Sequence, residues 1–127
     1  MKTVLATEKA PAAIGPYSQG IRGGDYVFIS GQLPIDPASG AFAGEDIVSQ
    51  TRQSLTNIKS ILESGGLSMA NVVKTTVLLK NISDFGAMNE VYATFFEGAC
   101  PARAAFEVAA LPKDALVEIE AIAYCGE

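Results

Sequence analysis

A chain of 127 residues with 49% hydrophobic side chains fits one domain, spanning residues 1–127, with a real core and little room for a second. Its formal charge of −5 and the lack of any Lys/Arg run argue against a nucleic-acid partner, because phosphate neutralisation needs a basic face. There is no histidine, which excludes Ser–His and Cys–His nucleophile pairs and imidazole zinc sites.

Lys2 to Ala6 alternates weakly and reads as a short first strand. Pro11 to Pro16 is a turn-rich connector, and Tyr17 to Ile21 reads as extended. Tyr26-Val27-Phe28-Ile29-Ser30 is a strand of β-formers ending at Gly31. Asp36-Pro37-Ala38-Ser39-Gly40 signals a turn. Asp46 to Ser64 reads as a helix, with Val48, Thr51, Leu55, Ile58 and Leu62 forming one stripe and Gly65-Gly66 stopping it. Val72 to Leu79 is a strand. Ser83 or Asp84 caps a second helix running to about Glu97, with Phe85, Met88, Tyr92, Phe95 and Phe96 as its apolar stripe. Arg103 to Ala110 and Leu116 to Tyr124 are two more strands, and Leu111-Pro112-Lys113-Asp114-Ala115 is expected to join them as an antiparallel hairpin. The order predicts an α+β fold: about six strands, mainly antiparallel, with two helices on one face.

Strand parity then sorts the last two strands. Val117, Ile119, Ala121 and Ala123 share one face, while Glu118 and Glu120 share the other with Ile122 and Tyr124. In the preceding strand Arg103, Ala105 and Glu107 oppose Phe106 and Val108. If bulky apolar residues lie under the helices, then Arg103, Glu107, Glu118 and Glu120 lie on the helix-free face. That face also carries apolar residues, so it is expected to pack against other copies of the chain.

Two cysteines, Cys100 and Cys125, are too few for a disulfide framework and read as small hydrophobes. With no apolar leader and no run approaching a membrane span, a cytoplasmic protein without membrane contact is expected. Neither a phosphate-cradling Gly-Lys-Ser/Thr nor Gly-x-Gly-x-x-Gly occurs. No cofactor and no metal are therefore expected, and the chemistry falls to Arg, Glu, Asp, Tyr, Asn, hydroxyls, backbone groups and water.

Five motifs run in order along the chain: Ala13-Ile14-Gly15-Pro16-Tyr17-Ser18-Gln19-Gly20, Ser30-Gly31-Gln32, Asn89-Glu90-Val91-Tyr92, Pro101-Ala102-Arg103, and Leu111-Pro112-Lys113-Asp114 followed by Glu118-Ile119-Glu120-Ala121. In this the chain resembles the Rid family, also called the YjgF or L-PSP family, of 2-iminobutanoate/2-iminopropanoate deaminases. The resemblance implies a chorismate-mutase-like fold and a homotrimer with its sites between subunits. It also implies roles: Arg103 for the substrate carboxylate, Glu118 for the catalytic water, and Tyr17, the Gly31 amide and Asn89 as further substrate contacts. Glu120 competes with Glu118, since both lie on one face. Ala104-Ala105 stand where close relatives carry Ser-Cys, which removes any thiol-based role but not hydrolysis.

The chemistry suits these groups. A planar guanidinium grips a carboxylate bidentately and so fixes the adjacent C=N carbon, while a glutamate orients the attacking water. The bland reading of Arg103 is an ion pair with Glu107 or Glu120. Tyr17 could be a turn aromatic, and Gly31 could merely relieve crowding. The expected hairpin places Arg103 opposite Ile122 and about 13 Å from Glu118 at ~3.3 Å per residue. The two are therefore expected to meet across a subunit boundary, or Arg103 leans along the hairpin. The competing functions are an endoribonuclease or translation inhibitor, and a non-catalytic keto-acid binder.

Overall fold

The computed structural model describes residues 1–126 and contains one six-stranded sheet with two α-helices. The strands are β1 (Lys2–Leu5), β2 (Gly20–Gly23), β3 (Tyr26–Gln32), β4 (Val72–Leu79), β5 (Ala102–Glu107) and β6 (Val117–Tyr124); the helices are α1 (Ile47–Ser64) and α2 (Phe85–Ala93). The expected α+β class holds with six strands, but the second runs over Gly20–Gly23 rather than from Tyr17 to Ile21.

The sheet order is β1-β2-β3-β6-β4-β5. Every pairing is antiparallel except β4 with β5, which is parallel. The expected β5–β6 hairpin does not form. β6 inserts between β3 and β4, and β5 is an edge strand reached from β4 through α2, the kind of crossover that a parallel pair requires. Leu111 to Ala115 instead makes a 3-10 turn in which Lys113 and Asp114 adopt left-handed φ values of 56° and 58°. Lys80 Nζ holds this turn at 2.7 Å from Asp114 Oδ1.

α1 begins where sequence pattern places it. Asp46 caps it by accepting from Ser49 N at 2.9 Å, which lowers the Asp46 pKa. Gly66, at φ 77°, follows the last turn. The buried stripe includes Ile47, Thr51, Leu55, Ile58, Ile61 and Leu62, whereas Val48 is exposed. α2 stops at Ala93, short of Glu97, and Asp84 makes no side-chain cap. Phe95 and Phe96, beyond its end, still pack against the core.

Both helices lie on one face of the sheet, over Val77 and Leu79 of β4 and Val117, Ile119, Ala121 and Ala123 of β6. Truncating a side chain buried there, such as Leu55, costs about 2–5 kcal/mol. The other face is open and carries large apolar groups, among them Tyr26, Phe28 and Phe106, all at least 45% exposed. Among the described residues no helix is long and apolar enough to cross a membrane. Cys125 packs against the core, as expected of a small hydrophobe, whereas Cys100 is exposed.

Candidate active site

The predicted residues gather in two places rather than one. Glu118 and Glu120 line a cleft of about 630 Å³ on the open side of β6, together with Tyr17, Ile14, Gly31 and Lys113. Glu118 is half-buried, and its pKa is raised by that burial first and by the neighbouring Glu120 carboxylate second. Glu120 lies on the same face but is exposed.

Gly31 explains how Glu118 is seated. The register between β3 and β6 shifts between Ile29 and Gln32, a bulge-type irregularity centred on Ser30 and Gly31. A β-carbon added at Gly31 would lie 2.7 Å from Glu118 Oε2. Glycine is thus needed so that the carboxylate can lie against the β3 backbone.

Tyr17 stands on the long connector between β1 and β2, which hydrogen bonds fold over the cleft. The Gln19 side chain accepts from Thr7 N at 2.7 Å and donates to the carbonyls of Thr7, Ala10 and Pro11 at 3.0, 3.2 and 2.7 Å. Ser30 N donates to Gln19 O at 2.9 Å, and Ser30 Oγ to Ser18 O at 2.6 Å. The first two motifs are therefore stitched together beside Glu118. Tyr17 itself remains 52% exposed, with its ring accessible at the cleft.

Arg103 is elsewhere, and its expected position needs correction. It pairs in register with Thr75, which is buried on the helix side, so Arg103 and Glu107 lie on the helix-bearing face. The alternation within β5 is the expected one, but the face is the opposite of that expected. Phe106 is the residue that points to the open side, 47% exposed, and the guanidinium lies over two aromatic rings of α2. Its carbon is 4.7 Å from the Tyr92 centroid and 5.3 Å from that of Phe85. Arg103 Nη1 donates to Asn89 Oδ1 at 2.7 Å, so within one chain Asn89 contacts the arginine.

The ion pair weighed for Arg103 is absent: Lys80–Asp114 is the one found among the described residues. Glu107 instead accepts from Ile82 N at 2.9 Å. Arg103 aligns with Thr75 and Glu118 with Leu78, on either side of β4. That separates them by about 10 Å along the strands and about 10 Å across them, on opposite faces. The expected distance survives although the hairpin behind it does not.

Sequence reading missed Gln19 and Ser30 as supports, and took Phe85 and Tyr92 for plain core. The usable signal for the last two was the spacing of Phe85, Asn89 and Tyr92, which brings them onto one side of α2. No group of acidic or cysteine side chains able to hold a metal ion occurs among the described residues.

Residues 7–125 match the family described as endoribonuclease L-PSP. A RutC family protein of Pyrococcus horikoshii is 58% identical over 98% of each chain. The 2-iminobutanoate/2-iminopropanoate deaminase of Mus musculus is 51% identical, over 99% of this chain and 93% of its own. The crystal structure of E. coli TdcF with bound serine superposes with a TM-score of 0.94 at 43% identity, covering 98% of this chain and 99% of that one. By sequence and by fold, the chain belongs to this L-PSP family, the Rid or YjgF family that its motifs resemble.

Proposed function

We propose that the protein hydrolyses small 2-imino acids to 2-keto acids and ammonia, in sites completed between neighbouring copies of a cytoplasmic homotrimer. One observation carries the reading: a guanidinium with no carboxylate partner among the described residues sits at the sheet edge, and a half-buried carboxylate of raised pKa sits in a separate cleft. Neither half suffices for a four-carbon imino acid. The exposed apolar side chains of the open face give a second copy something to cover, and two free cysteines suit a reducing compartment. The relatives named as deaminases supply the substrate class.

The steps need only these groups. Arg103 takes the substrate carboxylate and so fixes the C=N carbon. Glu118 orients a water and accepts its proton as the oxygen bonds to that carbon. The nitrogen of the protonated imine takes up the C=N electron pair and becomes an amine, giving a carbinolamine. Glu118 returns the proton to that nitrogen, then takes the hydroxyl proton as the C–N bond breaks, so ammonia leaves and the C=O of the keto acid forms. Tyr17 closes the cleft above, and the Gly31 amide is the further substrate contact that the family resemblance implies. The matched family is described as endoribonuclease L-PSP, but the acidic charge and the lack of histidine count against that reading.

Arg103→Ala and Glu118→Gln should each lose about 10²-fold or more in keto-acid release, followed with an imine-generating oxidase and a competing trap. Co-refolding the two inactive variants in equal amounts then tests the shared site. Random assortment leaves an intact Arg103–Glu118 pair at about one boundary in four, so about a quarter of wild-type activity returns. No return on mixing sinks the shared site. A wild type that binds keto acids without accelerating hydrolysis is a binder and not a deaminase.

A further inference from the structure

The stripe of α2 that faces β5 carries Phe85, Asn89 and Tyr92, and all three contact the Arg103 guanidinium. Tyr92 is itself held. Its hydroxyl shares a 2.7 Å hydrogen bond with Thr75 Oγ1, and the two residues are only 5% and 1% exposed. Thr75 is also the register partner of Arg103 on the neighbouring strand. The contacts therefore close a ring: Arg103 rests on Tyr92, Tyr92 is bonded to Thr75, and Thr75 is tied through the β4–β5 ladder back to Arg103. Burial pushes the phenol pKa up, so the hydroxyl stays neutral throughout the working range.

We propose that Tyr92, locked by Thr75, is a positioning residue for carboxylate recognition; this rests on the deaminase reading of Arg103. A free arginine side chain samples many rotamers and loses that freedom on binding. Here the loss precedes the ligand. The ring face carries the flat side of the guanidinium, and Asn89 takes one N–H. The remaining N–H groups stay available, in one plane, for a bidentate carboxylate. Substrate affinity then depends on a residue that need not touch the substrate.

Two variants of unequal expected effect separate the ring from the hydroxyl. Tyr92→Leu keeps apolar bulk but removes the π face. Tyr92→Phe with Thr75→Val keeps the face and removes both buried polar partners together, which leaves no orphan. The Tyr92→Leu protein should raise KM, and weaken 2-ketobutyrate binding in calorimetry, by about tenfold, with kcat changed far less. The double variant keeps the face but loses the lock, so its KM should rise by about two- to threefold, well short of Tyr92→Leu. The Arg103 side-chain N–H resonances, shifted upfield by ring current in wild type, should keep that shift in the double variant and lose it in Tyr92→Leu. If Tyr92→Leu does not fold, Phe85→Leu examines the same bed at a half-buried position, with a KM effect of about two- to threefold.

A wild type that neither binds 2-ketobutyrate nor hydrolyses imines overturns both readings. A wild type that does both, beside a folded Tyr92→Leu (or, in its place, Phe85→Leu) with unchanged KM, overturns the positioning role alone. Equal losses in Tyr92→Leu and the double variant would assign the effect to general packing and overturn it as well.

Discussion

The α2–β5 corner and the Glu118 cleft hold opposite charges by opposite means. At the corner, a helix stripe of period 3.6 lays two rings and one amide against a single arginine, and the cation gains π faces and an acceptor. In the cleft, backbone from β3, the connector before β2 and the turn before β6 are drawn around a carboxylate whose charged form the surroundings disfavour. The first region is local and stabilises its charge. The second is assembled over long sequence distances and withholds stabilisation from its charge. A binding cation gains from constancy, while a proton acceptor gains from a pKa nearer the working pH.

The sharpest way to break this contrast is Gly31→Ala. The new β-carbon meets Glu118 Oε2 at 2.7 Å and Cδ at 3.1 Å, so the carboxylate must swing away. Displacement of about 1 Å at a reacting group costs about 10²-fold in rate. The expected result is that fall in kcat with 2-ketobutyrate binding at Arg103 little changed. Full activity in the alanine variant would mean that the seat of Glu118 against β3 is irrelevant to turnover.

Gln19→Ala acts at one remove. It deletes four hydrogen bonds that fold the connector, leaving partly buried backbone groups unpaired at a cost of about 1–3 kcal/mol. Amide exchange should accelerate across residues 7–18 while the α2–β5 corner keeps its protection. Uniform acceleration over both regions would show that they are one cooperative unit, and the contrast between them would lapse.

Much of this was legible beforehand. β4 and α1 follow directly from β-branched runs and a 3-4 stripe, and Glu118 was placed on its correct face because β6 is central and its apolar parity is unbroken. β5 was not legible in the same way. Its neighbour in sequence is β6, and the short intervening segment reads as a hairpin. Its true partner β4 lies beyond a helix, and parallel pairing leaves no turn signature. Edge position also weakens the rule that bulky residues point inward: Phe106 faces outward and Arg103 lies beneath it over aromatic rings. The supports around Tyr17 were hidden for another reason. Gln19 appears in a quoted motif, but its partners are backbone groups, which carry no residue-type signal.

The mildest prediction concerns what the cleft costs the fold. Glu118 has a folded-state pKa above its ordinary value of 4.5, chiefly from burial and then from Glu120. The folded chain therefore holds this proton more tightly than the unfolded chain does. Between 4.5 and the raised value, stability falls as pH rises; above both, a constant penalty remains. Glu118→Gln removes the charge, so its melting temperature should exceed that of wild type at neutral pH. The gain should be only about one to three degrees, because the carboxylate is half-exposed and solvent screens it. The two proteins should converge as pH drops below 4.5. Activity should run the other way, rising through the same raised pKa as Glu118 becomes able to accept a proton. Coincident but opposed pH limbs, one in melting temperature and one in kcat, would identify a single carboxylate behind both. A Glu118→Gln protein less stable than wild type at neutral pH would instead mean that the charge is stabilised by its surroundings, and the contrast with Arg103 would disappear.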